Sequence, residues 1–197
     1  MTESDSYQAP HSWSGDGKLL AYTEFSTETG RSIGLLSLEG EPSSRLVLDT
    51  RFDERNPSIS PDGRWLAYDC DESGRHEIYV QSLPDMSGKW QVTTEGGSQP
   101  LWSPDGRELF YRVENRMMAV SVETDPTLVP GNPKLLFERH YYEETTGSRN
   151  YDVSPDGQRF LMIKEGDSSE DRRNRTELIV VENWFEELKR LAPVEGN

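Results

Sequence analysis

Ile59-Ser60-Pro61-Asp62-Gly63-Arg64-Trp65-Leu66-Ala67-Tyr68 joins a short apolar strand to a bulkier one through a tight polar turn. The chain carries this plan four times. The other copies are Trp13-Ser14-Gly15-Asp16-Gly17-Lys18-Leu19-Leu20-Ala21-Tyr22, Trp102-Ser103-Pro104-Asp105-Gly106-Arg107-Glu108-Leu109-Phe110-Tyr111 and Val153-Ser154-Pro155-Asp156-Gly157-Gln158-Arg159-Phe160-Leu161-Met162. Their turn aspartates, Asp16, Asp62, Asp105 and Asp156, are spaced by 46, 43 and 51 residues. Self-similarity at that period marks a β-propeller, in which each repeat is a four-stranded antiparallel blade.

The turn chemistry explains the recurring residues. Ser bonds forward to the backbone, Pro presets φ for the first turn position, Asp tolerates the next, and Gly takes the left-handed conformation that follows. The aspartates are therefore read as turn formers, not catalytic carboxylates. Gly15, which replaces Pro in the first copy, is expected to loosen that turn without changing its type.

Around each hairpin the remaining strands can be placed. In the second repeat, strand A is expected over Pro57–Ser60, B over Arg64–Asp69, C over Glu77–Leu83 and D over Lys89–Thr93. In the third, B, C and D fall at Arg107–Val113, Met117–Val122 and Lys134–Glu138. In the first, C and D fall at Ser32–Leu38 and Arg45–Leu48. The fourth has B at Arg159–Lys164 and C at Glu177–Val181 but no strand D. Asn183-Trp184-Phe185-Glu186 instead reads as an N-cap and capping box opening a short helix over 183–192, with 193–197 as a tail. Blades are thus expected over about 9–50, 51–95, 96–140 and 141–182, preceded by a disordered or edge segment, 1–8. The expected fold is all-β, a propeller of about four four-stranded blades with the last lacking its outer strand. Four blades leave an exposed sheet edge. The chain is accordingly read as part of a larger six- or seven-bladed ring with missing N-terminal blades, with edge-strand self-association or a small closed ring as the alternatives.

Composition narrows the functional classes. Only 32% of residues are hydrophobic and 29% are charged, but the apolar ones cluster in short aromatic and branched segments, so the chain folds. Lys plus Arg is 21 against 36 Asp plus Glu, a net charge of −15, which repels a phosphate backbone and excludes nucleic acid as an expected partner. The basic run Arg172-Arg173-Asn174-Arg175 follows Glu165, Asp167, Glu170 and Asp171 and reads as a self-neutralising loop. Cys70 is the single cysteine, so no intrachain disulfide can form. No apolar run reaches membrane-spanning length and the start is not signal-like, so no membrane insertion is expected. As written, the chain reads as cytoplasmic, or periplasmic if the natural chain has an upstream membrane anchor.

The pattern Asn-Pro-x-x-Ser-Pro-Asp-Gly at Asn56 to Gly63, continuing to Tyr68 and followed by Ile78-Tyr79-Val80, resembles the TolB-like repeats of bacterial propellers. The resemblance extends from about Pro10 to Val181. The ending, from Ser154-Pro155-Asp156-Gly157 through Leu178-Ile179-Val180-Val181 to Leu188, is similar to the C-termini of bacterial proteins in which a serine/threonine kinase or DNA-binding regulatory domain precedes such a propeller. This chain has no kinase Gly-rich loop, His-Arg-Asp or Asp-Phe-Gly, and no Gly-x-Ser-x-Gly elbow. Asp and Gly are adjacent in its turns, so the sialidase box Ser-x-Asp-x-Gly is not matched either.

In the propeller plan, loops leading into strand A rim the central channel on the face opposite the aspartate turns. Counting back from Ser14, Ser60, Ser103 and Ser154 puts Pro10, Asn56, Gln99 and Asn150 four residues upstream, with Arg55 and Arg149 one further. Arg55, Asn56, Gln99, Arg149 and Asn150 are therefore the candidate binding residues. They form either a rim for an acidic group of a peptide or small ligand, or a set of hydrogen bonds that holds the inter-blade loops. No catalytic residue, metal ligand or cofactor is assigned. The leading reading is a non-enzymatic protein- or peptide-binding scaffold, the C-terminal portion of a bacterial sensor or regulatory protein. The alternatives are a metal-dependent, lyase-like enzyme using His11, His76 and His140, or a lid for a hydrolase encoded elsewhere.

Overall fold

The computed structural model describes residues 6–26, 30–142, 146–164 and 177–182. Four antiparallel sheets follow one another along the chain. The first contains β1 (Tyr7–Trp13), β2 (Leu19–Ser26), β3 (Gly30–Ser37) and β4 (Ser43–Leu48); the second contains β5 (Arg55–Ile59), β6 (Trp65–Cys70), β7 (Glu77–Ser82) and β8 (Lys89–Gln91). The third contains β9 (Ser98–Trp102), β10 (Glu108–Val113), β11 (Arg116–Glu123) and β12 (Val129–Glu138). The fourth contains β13 (Tyr151–Val153), β14 (Arg159–Lys164) and β15 (Glu177–Glu182). Strands within each sheet are hydrogen-bonded in sequence order, and the first strands of the first three sheets lie against each other, β1 against β5 and β5 against β9. This is the meander of a propeller blade, with strand A innermost.

The observed strands lie close to the expected ones. β1 reaches back to Tyr7, because Tyr7 pairs with Phe25 and their rings meet edge to face at 5.2 Å. β12 begins earlier than expected, at Val129. The helix expected over 183–192 and the tail lie outside the described residues. Among the described residues no helix is long and apolar enough to cross a membrane.

Side-chain alternation divides each blade between two cores. Leu66, Tyr68 and Tyr79 pack with Ala21, Ile33 and Leu35 of the first sheet, while Trp65, Ala67, Ile78 and Val80 pack with Trp102, Leu109 and Tyr111 of the third. Phe110 and Met117 meet Tyr151, Phe160 and Met162 at the third junction. Each large apolar side chain buried in this way contributes roughly 1.5–3 kcal/mol. The innermost strands are also stitched by hydrogen bonds: Ile59 N donates to Ser12 Oγ at 3.0 Å, and Trp102 Nε1 donates to Ser58 O at 3.1 Å. Trp13 occupies the repeat position of Ile59 and Trp102. Those two are 5% and 4% exposed, whereas Trp13, with no described sheet before it, is 53% exposed.

The four turns share one circuit. Ser60 Oγ donates to Asp62 Oδ1 at 2.5 Å, Asp62 Oδ1 accepts from Arg64 N at 3.1 Å, and Ser60 Oγ accepts from Trp65 N at 3.0 Å. The same three bonds recur around Asp16, Asp105 and Asp156. The glycines after the aspartates all have φ between 70° and 72°. The first turn keeps the circuit without proline. There a Cβ on Gly15 would sit 2.6 Å from Pro61 O, so close approach of the next blade explains the glycine.

Candidate functional site at the strand A mouth

The candidate residues lie where the innermost strands begin. Register shifts interrupt strand A pairing between Pro10 and Ser12, between Arg55 and Ser58, and opposite the Phe110–Arg112 step. Asn56 and Gln99 take up two of these irregularities in the left-handed region, at φ of 53° and 58°. Each precedes a proline, which lacks the amide a regular ladder would need. A non-glycine residue at such φ costs about 1–2 kcal/mol, so the surroundings must hold it there.

Asp69 is the main acceptor in those surroundings. Its side chain is fully buried; Oδ1 accepts from Asn56 Nδ2 at 2.8 Å and from Gln99 N at 3.0 Å. Oδ2 accepts from Arg55 Nε at 3.2 Å. His76 Nδ1 is also 3.2 Å from Oδ2 but is not aligned for a hydrogen bond. Asp53 extends the network, with Oδ2 3.0 Å from Arg31 Nη1 and 3.6 Å from Arg55 Nε. The charges of Arg31 and Arg55 are thereby balanced within the protein.

Arg149 arrives from the fourth blade. Its backbone N donates to Asn56 Oδ1 at 2.8 Å, Nη1 donates to Pro100 O at 3.2 Å, and Nη2 donates to His11 O at 3.2 Å. One residue thus touches the other three blades. Burial pushes His11 down to about 4, with the Arg149 charge acting in the same direction, so its imidazole is neutral near pH 7. Gln99 O accepts from Tyr151 OH at 2.7 Å; burial raises the Tyr151 phenol above its ordinary range. Gln99 Oε1 is buried without a hydrogen-bond partner among the described residues.

The structure therefore brings Arg55, Asn56, Gln99 and Arg149 together. Asn150 is turned into the junction of the third and fourth blades, where Oδ1 accepts from Arg112 Nη1 at 3.2 Å and Nδ2 donates to Tyr142 O at 2.5 Å. The histidines are not gathered. His11 lies within β1, His76 faces Asp69 and Asp53, and His140 Nδ1 is 2.9 Å from Asn115 Oδ1 on the exposed side of the third blade. Among the described residues no group of three or more His, Cys, Asp or Glu is placed to hold a metal ion. Cys70 is buried, and that burial pushes its thiol up to about 11. Glu54, just before β5, is 2% exposed; burial raises its carboxyl, against a hydrogen bond from Thr50 Oγ1.

Sequence reasoning missed Asp69 and Arg112, which share one repeat position on strand B. The signal was present. Trp65, Ala67 and Asp69 alternate onto one face, as do Phe110 and Arg112, so a charge lies on an otherwise apolar stripe and needs buried partners. Larger openings, of about 620, 620 and 340 Å³, lie between successive blades on the aspartate-turn face. They repeat at every junction and are lined by the self-bonded turns, so the mouth is the more individual site.

No family model matches the chain. An uncharacterized protein of Agrobacterium fabrum is 27% identical over 165 residues, covering 78% of this chain and 54% of that protein. The chain thus spans about half the length of the curated relative it matches. TolB from Acinetobacter baumannii superposes with a TM-score of 0.68 at 18% identity, covering 92% of this chain and 42% of that one. A TolB from Agrobacterium tumefaciens, itself described as putative, gives 0.61 at 23% identity, over 80% of this chain and 57% of that one. The chain has the TolB-like propeller fold. Enzymes share this fold: an oligogalacturonate lyase solved with manganese gives 0.61 at 14% identity, over 92% of this chain and 51% of that one.

Proposed function

We propose that this chain is a non-enzymatic protein- or peptide-binding propeller segment, the C-terminal portion of a bacterial sensor or regulatory protein. The observation that carries this reading is the mouth itself. Asn56, Gln99 and Arg149, from three blades, meet there in a hydrogen-bonded frame around buried Asp69. Asn56 and the Gln99 amide are fixed in advance on one buried acceptor, and polar groups held in place before binding lose little entropy when they bind. The lyase-like alternative asks for histidines that act together, whereas His140 Nδ1 is engaged with Asn115 Oδ1 in the third blade. The uncovered Trp13 face, with a relative of which the match covers only 54%, supports further blades packed ahead of the first.

The purified chain applied to a peptide array tests the reading. Hits retained by Asp105→Ala on the turn face and lost by Arg55→Ala/Asn56→Ala at the mouth are expected, with both variants folded by circular dichroism. Hits that survive the mouth variant unchanged would remove the mouth as the binding site.

A further inference from the structure

The connection from β12 to β13 does not stay with its own blade. Gly147 O accepts from Asn56 Nδ2 at 2.9 Å while Arg149 N donates to Asn56 Oδ1 at 2.8 Å. One carboxamide thus reads the carbonyl of one residue and the amide of the next but one, a two-point contact to peptide backbone that asks nothing of the intervening side chain. Gly147, at φ 70°, lies against Arg55, where an added Cβ would come within 2.2 Å of Nη1. A glycine is therefore selected at that subsite. The Arg149 guanidinium then reaches the carbonyls of His11 in the first blade and Pro100 in the third, each at 3.2 Å.

Every group that contacts Gly147 and Arg149 here is supplied by another blade. Carbonyls in a fork select a planar cation with several N–H donors, neutral His11 does not oppose it, and the chain's net charge of −15 favours a basic ligand over an acidic one. An acidic ligand would have to compete with Asp53 and Asp69 for Arg31 and Arg55.

We propose that the mouth is a recognition site for an arginine-bearing peptide of the Gly-x-Arg type, and that Gly147-Ser148-Arg149 fills it in cis. A partner's segment binds by displacing this strap. The inference rests on the reading of the mouth as a peptide-binding surface and names the ligand's charge and sequence.

The test is fluorescence anisotropy with a labelled Thr-Gly-Ser-Arg-Asn peptide and the full chain as wild type, Arg149→Ala and Arg149→Ala/Asn56→Ala. Arg149→Ala is expected to bind at least tenfold more tightly than wild type, and the added Asn56→Ala to reverse that gain. Should the double variant not fold, Thr-Gly-Ser-Ala-Asn with the single variant asks the same question and is expected not to bind. Equal affinity of all folded proteins, or of the arginine and alanine peptides, would overturn the proposal. Binding of Thr-Gly-Ser-Glu-Asn instead would overturn the arginine preference and leave the peptide-binding mouth standing. Failure of all three peptides while mouth-dependent array hits persist would sink this inference alone. Loss of mouth dependence on the array would sink the broader reading.

Discussion

The two ends of the blades are built on different principles. On the aspartate-turn face, four copies of one circuit join residues two to five apart, as in the bonds from Ser103 Oγ to Asp105 Oδ1 at 2.7 Å and from Glu108 N to Ser103 Oγ at 2.9 Å. At the mouth, the bonds are single and long-range: Asn56 reaches Gly147 across 91 positions, and Arg149 reaches His11 across 138. The turn face is a repeated local solution to reversing the chain. The mouth is assembled once, from parts that only the curvature of the propeller brings together. Identity repeated in every blade therefore signals structure here, and departure from the repeat signals the place where recognition is possible.

The contrast is most exposed to test at Asp69. Asp69→Ala leaves Arg55, Asn56 and the Gln99 amide without their shared buried acceptor and is expected to cost about 3–5 kcal/mol in urea unfolding. Asp105→Ala, in a solvent-facing turn, is expected to cost about 1 kcal/mol. Equal losses would end the distinction between the faces. Asn56→Ala should fall between them, at about 1–3 kcal/mol, since it unties the second blade from the fourth. Gln99→Gly should stabilise the chain by up to about 1 kcal/mol, because it relieves the left-handed φ at a side chain whose Oε1 has no partner; a lowered melting temperature would show that the side chain is needed for packing.

The smallest effects separate the faces by pH. The Asp105 carboxyl is lowered first by its bond from Ser103 and then by that from the Arg107 amide. Its contribution is present above the unfolded pKa and is lost as pH falls through the folded one, so wild type should lose its advantage over Asp105→Asn in acid. Glu54 has the opposite sign. Its raised pKa means that the folded state holds the proton more tightly, and stability is lost as pH rises through the folded pKa. Glu54→Gln should therefore gain on wild type between weakly acidic and neutral pH, while the two converge in acid. Parallel pH profiles for wild type and Glu54→Gln would show that Thr50 already compensates the burial.

Much of the candidate site was legible because the repeat works as a ruler. Four residues back from Ser60 and Ser103 lie Asn56 and Gln99, and both are at the mouth. The same count fails in part for the fourth blade: Arg149 arrives as expected, but Asn150 is drawn aside by buried Arg112. The paired state of Arg55 was not legible, since its partner Asp69 looks like the polar end of an ordinary strand until the sheets are stacked. Nor was the role of Gly147, which is set by contact with Arg55 in a blade two repeats away.

By itself the sequence determined the blades, their order and the chemistry of their turns, because those depend on hydrogen bonds and side-chain alternation within a few residues. It also determined which polar residues begin the inner strands. Only the tertiary structure decided that these residues bind one another, and that Arg149 lies across the mouth with its guanidinium on the carbonyls of His11 and Pro100. Those outcomes depend on the angle at which successive sheets pack, and that angle is set jointly by all the inter-blade cores.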